Sequence, residues 1–345
     1  MKFLVTGATG FLGSAVTRRL TAAGHSVRAL VRDVNRPRPN ASERVEVAFG
    51  DLTRPDTLNG ACAGVDGVFH IAGLYAYWSR EPEMLYRTNA GGTEALLKYA
   101  RAAGVPRVVL TSTVATLKWP GKGKLADESA VASLDDLPGH YKKSKLMAEQ
   151  AALALARPGF EVIVVNPTAP VGPGDARPTP TGRVVLEFLN HRFPGYVDTG
   201  MNICDVDDVA DGHLLAFEKG RGGQRYILGS ENLTLREIYQ ALKTVTGLRR
   251  RPVRVPYAIA YFAGLMDSLM EGKALRREPY IPLEGLRVSR HPLFVDCSKA
   301  INELGLPRRP AAESLLRAAV WYSANGYTRA AVSGARPVRK AKASR

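Results

Sequence analysis

Short apolar runs alternate with amphipathic stretches through the first half of this chain. Runs at Lys2–Thr6, Val27–Val31, Val45–Phe49, Gly67–Ile71, Arg107–Thr111 and Glu161–Asn166 read as strands. Between them, Gly13–Ala23 and Thr93–Ala103 carry apolar positions at helical spacing. Strands alternating with helices predict a parallel sheet with right-handed crossovers. The near-continuous apolar character of the strands suits a sheet covered on both faces. The expected fold class is α/β, a doubly wound parallel sheet.

Beyond Pro167 the texture changes. Pro and Gly cluster over Pro170–Gly182, and further short elements follow. A second apolar helix, Pro256–Met270, lies beyond the basic run Arg249-Arg250-Arg251. The second half reads as a smaller α/β lobe without internal repeats. From about Arg329 the chain is mostly Ala, Ser, Arg and Lys, too poor in large apolar residues to order itself. Residues 329–345 are therefore expected to form a disordered basic tail.

The first strand runs into Gly7-Ala8-Thr9-Gly10-Phe11-Leu12-Gly13. A glycine-rich turn between strand and helix brings backbone N–H groups and a helix N-terminus up to a pyrophosphate. Gly7, Thr9, Gly10, Phe11, Leu12 and Gly13 are thus candidate dinucleotide contacts, in the setting this motif requires. Residues 1–167 read as a Rossmann-type NAD(P)-binding domain, and residues 168–328 mainly as a substrate-binding lobe with strands returning to the first sheet.

A second motif is Tyr141-Lys142-Lys143-Ser144-Lys145. Tyr141 and Lys145, four apart on a helix, share one face. A phenol with a pKa near ~10 is a poor base at neutral pH. A neighbouring ammonium favours the phenolate and lowers that pKa. The tyrosine can then exchange a proton with a substrate oxygen while hydride moves to or from a nicotinamide.

GxxGxxG with YxxxK resembles the short-chain dehydrogenase/reductase superfamily, in its extended branch, the NAD-dependent epimerase/dehydratase family. The resemblance implies that Thr113, in Leu110-Thr111-Ser112-Thr113, joins Tyr141 and Lys145 as the catalytic set, with Ser112 nearer the cofactor. It implies that Lys145 also holds the nicotinamide ribose. It places Asp51 at the adenine beside Leu52, Ala72 of Phe69-His70-Ile71-Ala72-Gly73 along the cofactor, and Asn89 as a brace between helices. His70 is read as structure within that cofactor loop. Asn166-Pro167, opening an NPxxxxGPGD-like segment, would put Pro167 beside the nicotinamide. Asp205-Val206-Asp207-Asp208-Val209-Ala210 and Tyr226-Ile227-Leu228-Gly229 match two further segments of the branch.

The second strand ends Val31-Arg32-Asp33. An acid there serves the ribose hydroxyl of NAD, an arginine the 2′-phosphate of NADP. Arg32 comes first, so NADP is favoured and NAD stays open. Val114-Ala115 follow Thr113 where sugar-nucleotide dehydratases carry an acidic pair, which argues against dehydration. Reduction, oxidation and epimerisation through a transient ketone remain.

The chain is similar in particular to the hopanoid-associated sugar epimerase group, whose members are often labelled dihydroflavonol-reductase-like. The matching segments are His70–Asn89, Phe188–Gly212, Tyr226–Leu235, Pro282–Gly285, Asn302–Leu306 and Trp321–Tyr327, and the likeness covers most of Met1–Tyr327. It departs at Gly73-Leu74 and across Lys118–Lys124, both expected to face the substrate. The implied substrate is sugar-like or lipid-linked, and the implied assembly is a homodimer through a two-helix face that includes the Tyr141 helix. The aromatics of Tyr75–Trp78 would lie over the nicotinamide end, either stacking on a substrate ring or packing as a lid.

Composition narrows the partners. The chain has 345 residues, 48 Lys+Arg and 32 Asp+Glu, a net charge of +16. Six of those charges belong to Arg329, Arg336, Arg339, Lys340, Lys342 and Arg345, leaving +10 for the rest. No nucleic-acid motif accompanies the charge, and no nucleic-acid partner is expected. Arg249-Arg250-Arg251 and Arg254 precede the apolar helix Pro256–Met270, and Lys273, Arg276 and Arg277 follow it. That arrangement suits either a core helix or one lying in an anionic membrane interface. No apolar run reaches the ~18 residues of a transmembrane helix, and no signal peptide is read at the N-terminus. Cys62, Cys204 and Cys297 form no disulfide framework and no metal motif, so a cytoplasmic enzyme without a metal is expected. A non-catalytic nucleotide sensor is the alternative, though Thr113, Tyr141 and Lys145 are all present.

Overall fold

The computed structural model describes residues 1–35, 42–274, 277 and 279–332. Seven strands form one parallel sheet: β1 (Lys2–Thr6), β2 (Ser26–Val31), β3 (Val45–Phe49), β4 (Gly67–His70), β5 (Arg107–Thr111), β6 (Glu161–Pro167) and β10 (Arg225–Leu228). Their order is β10-β6-β5-β4-β1-β2-β3. The chain winds outward from β1 to β3, then crosses back to β4 on the other side of β1. That reversal leaves a crevice at the strand ends between β1 and β4, where ligands of open α/β sheets bind.

Both faces of the sheet are covered, which is why its strands are apolar throughout. In β1, Phe3 and Val5 point to one face and Leu4 to the other. Helices α1 (Phe11–Ala22) and α6 (Val206–Lys219) cover the first face. Arg18–Asp207 at 3.1 Å and Arg19–Asp211 at 2.9 Å tie these two helices together. The second face carries α3 (Gly92–Ala102) and α4 (His140–Leu155), with Leu96, Leu97 and Ala152 in its core. Immediately before α3, helix α2 (Glu83–Tyr86) runs into it through a widened turn at Arg87–Gly91, which holds Asn89.

The second lobe is built on a three-stranded sheet, β11 (Glu231–Thr234), β9 (Gly200–Asp205) and β7 (Ala169–Val171), and a two-stranded one, β8 (Gly195–Tyr196) with β12 (Val253–Arg254). Helices α5 (Pro180–Asn190), α7 (Leu235–Thr246) and α10 (Ala311–Ala324) enclose Phe188, Ile238, Leu242, Leu315 and Tyr322. Thr234 and Glu237 cap α7 reciprocally, and Gly247 ends it in the left-handed region at φ 69°. Asp205, buried at the end of β9, accepts from Arg309 at 3.1 Å and Arg317 at 2.5 Å.

The apolar stretch expected as one helix over Pro256–Met270 is shorter in regular form. Helix α8 covers Tyr257–Asp267, with Pro256 at its N-cap, and a wider turn continues over Ser268–Ala274. The Asp267 carboxylate turns back to accept the Ile281 amide at 2.7 Å, just before α9 (Leu283–Ser289). Lys273 as a side chain, Arg276, and the tail beyond Val332 lie outside the described residues. No helix among the described residues is long and apolar enough to cross a membrane.

Candidate active site

The glycine loop joins β1 to α1 at the crevice. Gly7 sits at φ 71°, and a Cβ there would come within 2.9 Å of the Ala72 amide nitrogen. A Cβ on Gly13 would lie 2.0 Å from the Gly7 carbonyl oxygen, so α1 can approach the loop this closely only with glycine. The Gly10 amide donates to that same carbonyl at 2.9 Å, which shapes the turn. Thr9 and Gly10 are exposed, Phe11 and Leu12 half-buried. Gly10 caps α1 without any side-chain hydrogen bond to its first amides. Those uncapped N–H groups and the Cβ-free cradle fit a pyrophosphate.

Around this loop the hydroxyl of Thr6 organises the end of β4. Its oxygen accepts from Ile71 and Ala72, each at 3.0 Å, so its proton goes to His70 Nδ1 at 2.7 Å. His70 Nε2 then donates to Thr93 Oγ1 at 2.8 Å, and Thr93 donates to the Asn89 carbonyl at 2.5 Å. Burial, with Lys145 nearby, pushes His70 down to about 3. It is a neutral structural link. Asn89 donates to Leu74 O and Ser144 Oγ, both at 3.0 Å, and accepts from Leu74 N at 2.7 Å. It thereby ties the loop after β4 to α4.

Arg32 is exposed past the end of β2. Asp51 begins the turn after β3 and accepts from Thr53 N at 2.9 Å and Thr53 Oγ1 at 2.8 Å. Partial burial raises its carboxyl, but the Thr53 hydrogen bonds and the nearby Arg32 and Arg54 prevail and hold it below the usual range. Arg32 and Arg54 thus lie near enough to Asp51 for their charge to act on it. Leu52 is buried against Gly92, and Pro167 is buried at the end of β6.

Tyr141 and Lys145 are both buried on α4. The Thr113 hydroxyl accepts from Ala115 N at 3.2 Å and lies near enough to Tyr141 to favour its phenolate. Lys145 Nζ donates to the Thr111 carbonyl at 2.7 Å. The three residues proposed from the sequence thus converge on one place. The direction of the tyrosine's pKa differs from the sequence expectation. Burial, reinforced by Tyr77 and opposed by the Thr113 hydroxyl, holds the Tyr141 phenol well above its ordinary value. Burial also lowers Lys145 to about 8, against the pull of Glu149.

The cause lies above the site. The ring of Tyr75 lies 4.7 Å from that of Tyr141, and Tyr77 lies 6.2 Å away, edge on. Beneath the site is an element the motifs did not reveal. Glu149, fully buried one turn beyond Lys145, forms an ion pair with Arg225 of β10. It accepts from Ser112 at 2.5 Å, Thr116 at 3.2 Å and Asn166 at 3.3 Å. Ser112, expected nearer the cofactor, is turned to this carboxylate. The spacing Tyr141, Lys145, Glu149 along one helix face was the available signal. Among the described residues no cluster of His, Cys, Asp and Glu could hold a metal ion.

Residues 3–229 match the family described as NAD dependent epimerase/dehydratase. The chain belongs to that family. Its members are oxidoreductase-class enzymes that use a nicotinamide dinucleotide, and the uncapped loop described above fits one. The chain is 42% identical over 332 residues to a Synechocystis sp. protein that carries the provisional name dihydroflavonol 4-reductase, covering 95% of this chain and 96% of that one. It is 32% identical to sterol demethylase protein B of Methylococcus capsulatus, over 94% of this chain and 99% of the relative. Among solved structures it is similar to gox2253, with TM-score 0.83, 40% identity, and coverage of 95% and 99%.

Proposed function

We propose that this family member is an NADPH-dependent reductase of a ketone on a large, predominantly apolar substrate, with Thr113, Tyr141 and Lys145 as its catalytic residues. The observation that carries the reading is the Tyr141 phenol, buried beside Thr113 and roofed by Tyr75 and Tyr77. A phenol held protonated is suited to donate to a carbonyl oxygen as that oxygen gains charge. Thr113 steadies the same oxygen. Lys145, charged below about pH 8, replenishes the local positive field and orients the ribose. The bound nicotinamide would supply the hydride. Arg32 would meet the 2′-phosphate of NADP, with Gly7, Thr9, Gly10, Phe11, Leu12, Gly13, Asp51, Leu52, Ala72 and Pro167 lining the remainder of the dinucleotide. The names of the sterol and flavonol relatives support a ring ketone.

The resemblance to the hopanoid-associated group supports a second reading, epimerisation of a sugar-like group within hopanoid lipid synthesis, by the same three side chains. The two differ in bookkeeping of cofactor. A reductase consumes NADPH in step with product, whereas an epimerase starts from the oxidised cofactor, borrows a hydride and gives it back. Tyr141→Phe is expected to lower turnover by about a hundredfold or more while leaving NADPH affinity nearly unchanged. Undiminished turnover in that variant overturns the catalytic assignment. Pairing into a homodimer would use α3 and α4, where Met147 is exposed. Size-exclusion chromatography with light scattering tests that arrangement. A cytoplasmic location is consistent with the three unpaired cysteines.

A further inference from the structure

Helix α8 turns its apolar side outward. Ile259 is 61% exposed, Phe262 65%, Met266 43% and Met270 60%. Their spacing of three and four places them in one stripe along the helix and its following turn. Leu269 in that turn is exposed too, as is Tyr280 farther along the chain. The inner side of α8 is already satisfied. Gly264 is buried against Leu286 and Ile281, and the Tyr257 hydroxyl donates to the Leu286 carbonyl at 3.2 Å. The outward stripe is therefore not the seam that holds α8 in place. Contiguous exposed apolar faces of this kind mark interaction sites.

The surroundings identify the occupant. Residues 249–277 contain seven Lys and Arg against two acids. Arg249, Arg251 and Arg277 are exposed, while Arg254 is paired with Asp198. An apolar stripe bracketed by cations complements an anionic bilayer surface. It is poorly matched to a second copy of itself, because a two-fold contact would bring one basic segment against another.

The segment that carries the stripe packs, through the turn after α8 and through α9, on the roof of the candidate site. The turn after α8 approaches Trp78, whose Nε1 lies 3.2 Å from where a Cβ on Gly272 would be. Gly285 of α9 packs near Tyr77, and Glu284 packs at Gly139, just before α4. The Tyr75–Trp78 loop that covers Tyr141 is thus sandwiched between α4 and the α8–α9 hairpin.

We propose that the Ile259–Met270 face of α8 docks on an anionic membrane surface, seating the roof of the Tyr141 site against the lipid. That a membrane-dissolved substrate enters there rests on the reductase reading above; the docking itself does not. The test is flotation of the full chain with vesicles of phosphatidylcholine alone or with a quarter phosphatidylglycerol. Binding is expected to the anionic vesicles and to weaken as salt rises. The triple variant Ile259→Ser, Phe262→Ser, Met266→Ser is expected to lose about tenfold in bound fraction. These side chains are exposed, and an unchanged thermal unfolding curve checks the fold. Wild-type protein that stays unbound overturns the proposal. So does a triple variant that floats as well as wild type, which would assign binding to other basic segments. So does a wild-type dimer that the triple variant converts to monomer, which would assign the face to self-association. A floating protein that shows no NADPH binding in a fluorescence titration leaves the docking intact and overturns only the reductase reading.

Discussion

In the proposed reading, Arg32 is the side chain that selects the cofactor. It is exposed, and its charge reaches Asp51, which accepts from Thr53. A guanidinium facing a 2′-phosphate contributes about 1.5–3 kcal/mol as a charged hydrogen bond. Arg32→Ala should therefore weaken NADPH binding about ten- to a hundredfold and leave NADH binding little changed, as read by fluorescence titration. Equal losses for both dinucleotides would reassign Arg32 to the loop's structure. The position of Arg32 was legible because it follows directly from the end of β2. The protonation preference of Tyr141 was not. Helical spacing reveals Lys145, a local neighbour, but burial under Tyr75 and Tyr77 depends on where another loop folds back.

Elements impose a different kind of constraint. Helix α1 meets the loop at the Gly13–Gly7 approach, so Gly13→Ala must push the two apart. Its expected outcome is a large loss of dinucleotide affinity, seen by calorimetry, with a folded circular dichroism spectrum. Helix α6 is fastened to β5 through His213. Its Nδ1 donates to Val209 O at 2.7 Å, and Thr111 donates to its Nε2 at 2.8 Å. Burial lowers this histidine to about 4. Its folded value is below the unfolded one, so the unfolded chain binds the extra proton. Stability contributed by neutral His213 is complete above about pH 6.5 and drains away as pH falls toward about 4. His213→Gln should flatten the pH slope of stability in that window by ~1.4 kcal/mol per pH unit, measured by urea unfolding at several pH values. A slope equal to wild type would show that other groups carry the acid response. The first six strands were readable almost to the residue, because a sheet buried on both faces leaves an uninterrupted apolar run. The α8 stretch was less so. Its apolar residues surround the helix, so pattern alone could not say which side meets protein.

At the scale of the molecule, the sheet is finished by a strand that returns to it part-way through the second lobe, before β11, α7 and α10 are added. Arg225 on β10 neutralises Glu149, which lies buried beneath the Tyr141–Lys145 face of α4. Removing one partner of a buried pair costs about 3–5 kcal/mol. Arg225→Met should destabilise the protein by about that much in denaturant titrations, and Arg225→Lys by less. A destabilisation near zero would mean that water or the Ser112, Thr116 and Asn166 donors suffice for Glu149. The Gly-loop, Thr113, Tyr141 and Lys145 announce themselves by local motif, whereas this pair joins residues from distant parts of the sequence and has no local signature.

The cysteines have a practical consequence of their own. Cys62, Cys204 and Cys297 are all buried, and burial raises their thiols to about 11, about 12 and about 12. Thiolate is the species that reacts with maleimides, so the native chain offers almost no background to such reagents at neutral pH. A cysteine introduced at Phe262 would be the fast-reacting position. A solvent-sensitive dye placed there would read, in one spectrum, whether that side of α8 faces water or hydrocarbon.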